Sequence, residues 1–332
     1  MKWRHRRPAT RQLAERRFPS SAPAGAAGGI YPWDIVINCS VTERPQTVYY
    51  IIVIETHHTS LIERQLTDAA FGDRPGSWPL PSATTPAQLW LRAVAAGGQG
   101  RYGAAQRDLA ALRRSASAGR LASLAHSTQG SFLRQLGWHT VARGWDGRAL
   151  ALAGTDPEAG ADALIGLAAD ALGVGRLAAA ATLLARADPL LSSPDSEAAV
   201  PDRLPVRRQW VAAELAMARG AGDVAVRHAG EAVELAAGMA SGPTGASARH
   251  QVKSDVVLAA ALCSAGHVER ARAVAEAALQ TTGRLGLLPL RWALACLLID
   301  IESVTFSAHQ LHEIRDICAG QVRHAGGTWR SA

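Results

Sequence analysis

The chain has 332 residues, of which 48% are hydrophobic and 19% are charged, a balance typical of proteins that bury a core. Its apolar runs, such as residues 256–263, are much shorter than the roughly 20 residues that span a bilayer, so we expect no membrane segment. The net charge is +7, but residues 1–17 contribute seven basic residues and one acidic residue, so the rest of the chain has no strong field for nucleic acid. The four cysteines are far apart and form no CxxC pair, which indicates reduced thiols in the cytoplasm.

Residues 1–85 differ in composition from everything that follows. Nucleic acid is not an expected partner except through the basic leader at residues 1–17, for which a leader without a partner is the favoured interpretation. Residues 47–58, TVYYIIVIETHH, are β-prone without a partner strand nearby. Residues 71–86 are rich in Pro, Gly and Ser and predict a linker that ends at a helix start. We therefore expect a poorly ordered N-terminal region before a domain at 86–332. A related hypothesis is that translation starts downstream of Met1.

From Pro86 onward the chain is rich in Ala, Leu and Arg and has helical periodicity. Five glycines are each followed by small or apolar residues along one helix face, as in GHVERARAVAEAA at residues 266–278. The residue seven positions before each of these glycines is also small. A glycine suits the turn between two helices, and small residues let the helices approach closely. The pattern predicts helix pairs whose turns contain Gly100, Gly137, Gly175, Gly220 and Gly266.

This pattern resembles that of tetratricopeptide-repeat (TPR) proteins, most clearly in GRYGAA at residues 100–105. The resemblance implies an all-α fold, a right-handed α-solenoid of about five to six helical hairpins, in a divergent bacterial protein. It covers roughly residues 86–280, with a sixth pair at 287–325. The glycines are 37 to 46 residues apart rather than the family's roughly 34, and Asp146 and Gly222 stand where apolar residues are expected. A generic helical-hairpin array of the kind in bacterial sensor domains is the alternative.

Motifs for catalysis or cofactor binding are not found in the sequence. It has no phosphate loop, no HExxH and no GxSxG, so we expect no enzyme, no cofactor and no metal. His309 and His312 lie three residues apart on one predicted helix face, but no third ligand is indicated, which favours a solvated pair.

A candidate partner-binding groove follows from the phase of the repeats. Polar and aromatic residues at four positions of the first helix of each pair are predicted to line a concave face. Trp and Arg are enriched in binding hot spots, and Trp90 and Trp210 share a repeat position, although packing under a neighbouring helix is an equally weighted interpretation. The predicted groove consists of Trp90, Ser127, Ser131, Arg134, Asp162, Arg207, Trp210, Glu214 and Lys253.

The predicted function is a non-enzymatic, cytoplasmic protein-interaction scaffold that holds a peptide or partner protein in this groove. The alternative is a regulatory, transcription-associated sensor solenoid that binds a small effector or a sigma/anti-sigma type partner. The candidate positions include no asparagine and one lysine, Lys253, so the Lys/Asn clamp for chaperone C-termini is not expected.

Overall fold

The computed structural model describes residues 61–192, 200–239 and 246–330, and within these ranges the chain forms 13 helices and no strand. The all-α prediction is therefore confirmed for the described residues. No described helix combines the length and the apolar content that crossing a membrane requires. The basic leader at 1–17 and the β-prone stretch at 47–58 lie outside the described residues.

The helices are α1 (61–71), α2 (Pro86–Gly98), α3 (Tyr102–Ser115), α4 (Arg120–Gln135), α5 (His139–Leu152), α6 (Pro157–Gly173), α7 (Leu177–Leu191), α8 (Arg203–Ala218), α9 (Gly222–Gly238), α10 (Ala248–Ser264), α11 (Val268–Arg284), α12 (Leu288–Asp300) and α13 (Ala308–His324).

Helices α2 to α13 form six consecutive pairs, and the turns within the first five contain the predicted glycines. These glycines have φ between 75° and 87°, the left-handed region that a side chain disfavours. In the sixth pair the left-handed residue of the turn is Glu302, with φ of 57°. We call α2, α4, α6, α8, α10 and α12 the first helices and their partners the second helices.

Small residues mark the places where the helices approach most closely. The alanines of α11, Ala271, Ala275 and Ala278, are at most 2% exposed, as the spacing predicts. A Cβ at Gly222 would lie 2.7 Å from the Cα of Ala265, so the start of α9 packs directly on the end of α10. Gly222 departs from the apolar pattern because even a methyl group does not fit there.

Each helix of the pairs packs against the next helix along the chain, from α2 through to α13. The first helices also contact one another in order, α2 with α4, α4 with α6, α6 with α8, α8 with α10, and α10 with α12. This arrangement is compatible with a helical repeat, in which units bury their faces against their neighbours.

Helix α1 was not predicted, and with it the described chain exceeds the expected five to six hairpins by one helix. Its residues Leu66, Ala70 and Phe71 are at most 2% exposed. The segment after it, predicted as a linker, also packs on the body of the protein, because Gln99 Nε2 donates hydrogen bonds to the carbonyl oxygens of Pro75 and Ser77, both at 2.9 Å. Helix α2 starts where predicted.

The C-terminal residues contact the first two helix pairs. The backbone nitrogen of Gly103 donates to the Ala325 carbonyl at 2.8 Å, and Trp138 Nε1 donates to the Thr328 carbonyl at 2.7 Å. The indole of Trp329 stacks on that of Trp292, with ring centroids 4.3 Å apart. These contacts hold the last helix pair against the turns of the first two.

Candidate functional site

All nine residues of the predicted groove are buried, with exposed fractions between 0% and 7%. They lie on five of the first helices, α2, α4, α6, α8 and α10, and point toward neighbouring helices rather than to solvent. Ser131, for example, is 1% exposed. In this structure the nine side chains therefore form part of an interior face, which we call the interior polar face.

The two tryptophans at the shared repeat position have the same structural role. Trp90 Nε1 donates to Thr128 Oγ1 at 3.0 Å, and Trp210 Nε1 donates to Ser254 Oγ at 2.9 Å. In both cases the hydroxyl belongs to the following first helix. The packed interpretation of these tryptophans is the one that the structure shows.

One buried charge cluster joins α4, α5 and α6. Arg134 Nη1 donates to the carboxylates of both Asp146 and Asp170, at 3.1 Å in the second case, and Ser127 Oγ donates to Asp146 Oδ1 at 3.0 Å. A Cβ at Gly166 would lie 2.5 Å from Asp146 Oδ1. Asp146 thus departs from the apolar pattern because its carboxylate occupies a space that glycine leaves open between first helices.

The two aspartates share one guanidinium, but burial raises their pKa values. Burial raises the pKa of Asp170 to about 8, an effect that Arg134 reduces and the neighbouring Asp146 reinforces. Burial likewise raises the pKa of Asp146, against the opposing effect of Arg134. The pair therefore retains a proton at neutral pH, and the remaining negative charge balances Arg134.

Further ion pairs connect α4, α6, α8 and α10. Glu158 accepts hydrogen bonds from Arg120 and Arg203, and burial, which opposes its ionisation, is outweighed by these two cations, so the pKa of Glu158 is lowered. Arg207 pairs with Asp162. Lys253 Nζ lies 3.5 Å from Glu214 Oε1. Successive first helices are thus held together by charges at their contacts.

These pairs follow the repeat register, a signal that the sequence analysis missed. Arg120, Glu158, Arg203 and Arg249 each stand 17 residues before a turn glycine. Residues at one repeat position lie side by side on neighbouring first helices, so this shared position places Glu158 of α6 between Arg120 of α4 and Arg203 of α8.

The interior polar face has more unpaired donors than unpaired acceptors. Among the described residues, six buried nitrogens of four arginines on or beside this face have no partner, against one carboxylate oxygen and one imidazole nitrogen. An unpaired buried polar atom is costly, so this face is suited to a ligand that supplies acceptor oxygens. The donors belong to Arg134, Arg203, Arg207 and Arg249, and the other two atoms to Asp170 and His250.

The side chains that could ligate a metal do not cluster in the described part of the chain. No group of three His, Cys, Asp or Glu side chains in the described ranges has the arrangement to bind a metal ion. His309 and His312 are both exposed, and His312 Nδ1 lies 2.6 Å from the Ala308 carbonyl oxygen.

Comparison with protein-family models and with curated protein sequences finds no match for this chain.

Proposed function

We propose that this chain is a non-enzymatic protein-interaction scaffold, a TPR-like right-handed α-solenoid that works in the cytoplasm and binds a peptide or partner protein through its interior polar face. The observation that carries the proposal is the excess of unpaired buried donors on that face, contributed by α4, α8 and α10. A chain segment rich in carboxylates or carbonyls would satisfy these donors.

Binding to this face requires the first helices to separate, because its side chains are buried. The ion pairs between successive first helices, such as that of Arg207 with Asp162, would then be exchanged for pairs with the partner. Such an exchange keeps each charge compensated, whereas opening without a partner would not.

Capture from a lysate of the native host tests this function. We expect a protein that is retained by the wild-type chain and lost with Arg207→Gln. Arg208→Gln is the matched control, because the neighbouring Arg208 instead pairs with Asp188 at 2.9 Å on a partly exposed part of α8. Circular dichroism must show equal helicity in both variants. Failure to capture a protein, or equal capture by both variants, would contradict the scaffold.

The second candidate function is a regulatory sensor that binds a small effector. The burial of the nine predicted residues, at most 7% exposed, favours it, since an enclosed face suits a small molecule better than an extended peptide. A sensor predicts that one member of a metabolite panel raises the melting temperature in proportion to the logarithm of its concentration. A panel that leaves the melting temperature unchanged contradicts it.

A further inference from the structure

The first turns of α8 and α10 carry arginines where helices favour acidic residues. Arg203 is the first residue of α8 and Arg249 the second residue of α10, and neither helix has an acidic residue in its first turn or a side-chain hydrogen bond at its N-cap. A helix N-terminus has a partial positive charge and unsatisfied N–H groups, so a cation there is unfavourable. Both helix ends therefore add to the positive potential of the arginines.

The two arginines are buried at the same place in the fold. Arg203 is 2% exposed and Arg249 is 1% exposed. The guanidinium carbons lie 5.7 Å and 5.5 Å from the centroid of the Phe71 ring at the end of α1. Two buried guanidinium groups thus flank one aromatic ring.

The carboxylates nearby do not balance these charges. Within ion-pair distance the described residues give Arg203 one carboxylate, that of Glu158, which also pairs with Arg120. Asp162 acts on Arg203 from farther away and is itself paired with Arg207. Arg249 donates to the carbonyl oxygens of Ala70 and Val94, with no carboxylate partner among the described residues. Burial, reinforced by Arg203, lowers the pKa of Arg249 to about 9, so the group is still charged at neutral pH. A buried charge of this kind is expected to have a counter-ion.

Several nitrogens of these side chains have no hydrogen-bond partner among the described residues. Nε and Nη1 of Arg203, Nε of Arg249 and Nε2 of His250 are buried without a hydrogen-bond partner. His250 is fully buried, and its Nδ1 lies 2.7 Å from Ser247 Oγ. When that hydroxyl donates to Nδ1, Nε2 carries the hydrogen and is a donor as well. The cluster then offers donors from three side chains.

We propose that Arg203, Arg249 and His250 form a binding site for an oxyanion, the carboxylate or phosphate group of a small effector, at the junction of α1, α8 and α10. The proposal rests on the second function above and names the chemistry of the effector. The oxyanion would accept hydrogen bonds from the unpaired nitrogens and supply the missing negative charge. Phe71, 5.8 Å from Trp90 between ring centroids, would form an apolar wall beside it.

Thermal unfolding of the wild-type chain tests the site without a variant. Sodium phosphate and sodium succinate are each compared with sodium chloride at equal ionic strength. We expect one of the two oxyanions to raise the melting temperature progressively with concentration, and the arm that responds identifies phosphate or carboxylate. In hydrogen exchange, the same ion is expected to slow exchange at residues 66–72 and 247–252. If neither ion exceeds chloride and neither slows exchange, the site is disproved.

A variant pair locates the effect. Arg249→Gln should weaken the apparent affinity for the active ion at least tenfold, while Arg227→Gln, an exposed arginine on α9, should leave it unchanged. Equal stabilisation of both variants by the ion would show binding elsewhere and overturn the assignment. If Arg249→Gln does not fold, hydrogen exchange on the wild type decides instead.

A metabolite panel separates this inference from the function on which it rests. Stabilisation by an uncharged or cationic metabolite, with no response to phosphate or succinate, would keep the sensor function and overturn the oxyanion chemistry. A panel in which no compound acts would overturn both.

Discussion

Arg134 of α4 and Asp146 of α5 form an ion pair in which neither side chain has any exposed surface. Asp170 of α6 contacts the same guanidinium group at 3.1 Å, so one cation joins three consecutive helices. Burying such a group adds little net stability compared with apolar packing, but breaking it leaves a charge with no partner. We therefore interpret this cluster as a device that fixes how α4, α5 and α6 pack together.

Replacing Arg134 by Met should destabilise the fold by about 3–5 kcal/mol, because it leaves two buried carboxyl groups without their cation. Denaturant unfolding measures the change. The matched control is Arg208→Gln, which breaks a partly exposed pair with Asp188 and should cost less than about 1 kcal/mol. Equal costs for the two variants would contradict the importance of the buried cluster.

Glycines on α5 and α6 should respond to alanine with opposite signs. Gly166→Ala would place a Cβ 2.5 Å from Asp146 Oδ1, so we expect a loss of about 1–3 kcal/mol from overpacking. Gly144→Ala lies in α5 with nothing within 4 Å of the added Cβ and should stabilise the protein by up to about 1 kcal/mol. Thermal unfolding of both variants measures the difference. Stabilisation by Gly166→Ala would show that the carboxylate is free to move.

The proton held by Asp170 and Asp146 should make stability fall as the pH rises. The pKa of Asp170 is about 8 in the folded chain and about 3.9 when unfolded, so between these values the folded state binds more protons. Stability should therefore decrease by up to about 1.4 kcal/mol per pH unit and level off above about pH 8.

This slope is best measured between about pH 6.5 and pH 8, because His139 acts in the opposite direction at lower pH. Burial lowers the pKa of His139 to about 4, whereas its pKa in the unfolded chain is near 6.5. Between these values the unfolded chain binds more protons, so this histidine makes the free energy of unfolding rise with pH. Denaturant unfolding of D170N should show a flatter profile in this window, since the amide cannot release the proton. D188N, at the partly exposed pair, is the control and should keep the wild-type slope. A wild-type slope in D170N would contradict the pKa assignment.

The helix pairs could be predicted from sequence because they depend on local patterns. Gly175 and Ala180 belong to one turn and the helix after it, and their spacing reports the left-handed turn and the buried helix face directly. Helix α1 also has the spacing of a helix face, since Leu66 and Ala70 lie four residues apart and are both buried. It was not predicted because residues 1–85 were interpreted from their composition and not from their periodicity.

The burial of the interior polar face could not be predicted in the same way. The period of a helix shows which residues share a face, but not whether another helix covers that face. Asp162 and Arg207 therefore looked like residues of an open groove, although they pair with each other inside the protein. Their 45-residue separation equals that of Gly175 and Gly220, so comparing charges at one repeat position would have revealed the pair.

Removing the C-terminal contacts should loosen the first two helix pairs while leaving the central ones intact. Deletion of residues 328–332 eliminates the stack of Trp329 on Trp292, the hydrogen bond from Trp138 to the Thr328 carbonyl, and that from the Arg330 backbone nitrogen to the Leu136 carbonyl at 2.9 Å. Hydrogen exchange should then accelerate at residues 136–142, with no change at 175–180, where the Gly175 turn of the third pair has nothing within 4 Å of an added Cβ. The single change Trp329→Ala should give a smaller effect of the same kind, because it removes the stack but keeps the backbone hydrogen bond. Equal acceleration of hydrogen exchange at both turns would show instead that the C-terminal residues support the whole array. Unchanged exchange at both turns would show that they do not hold the last pair against the first two.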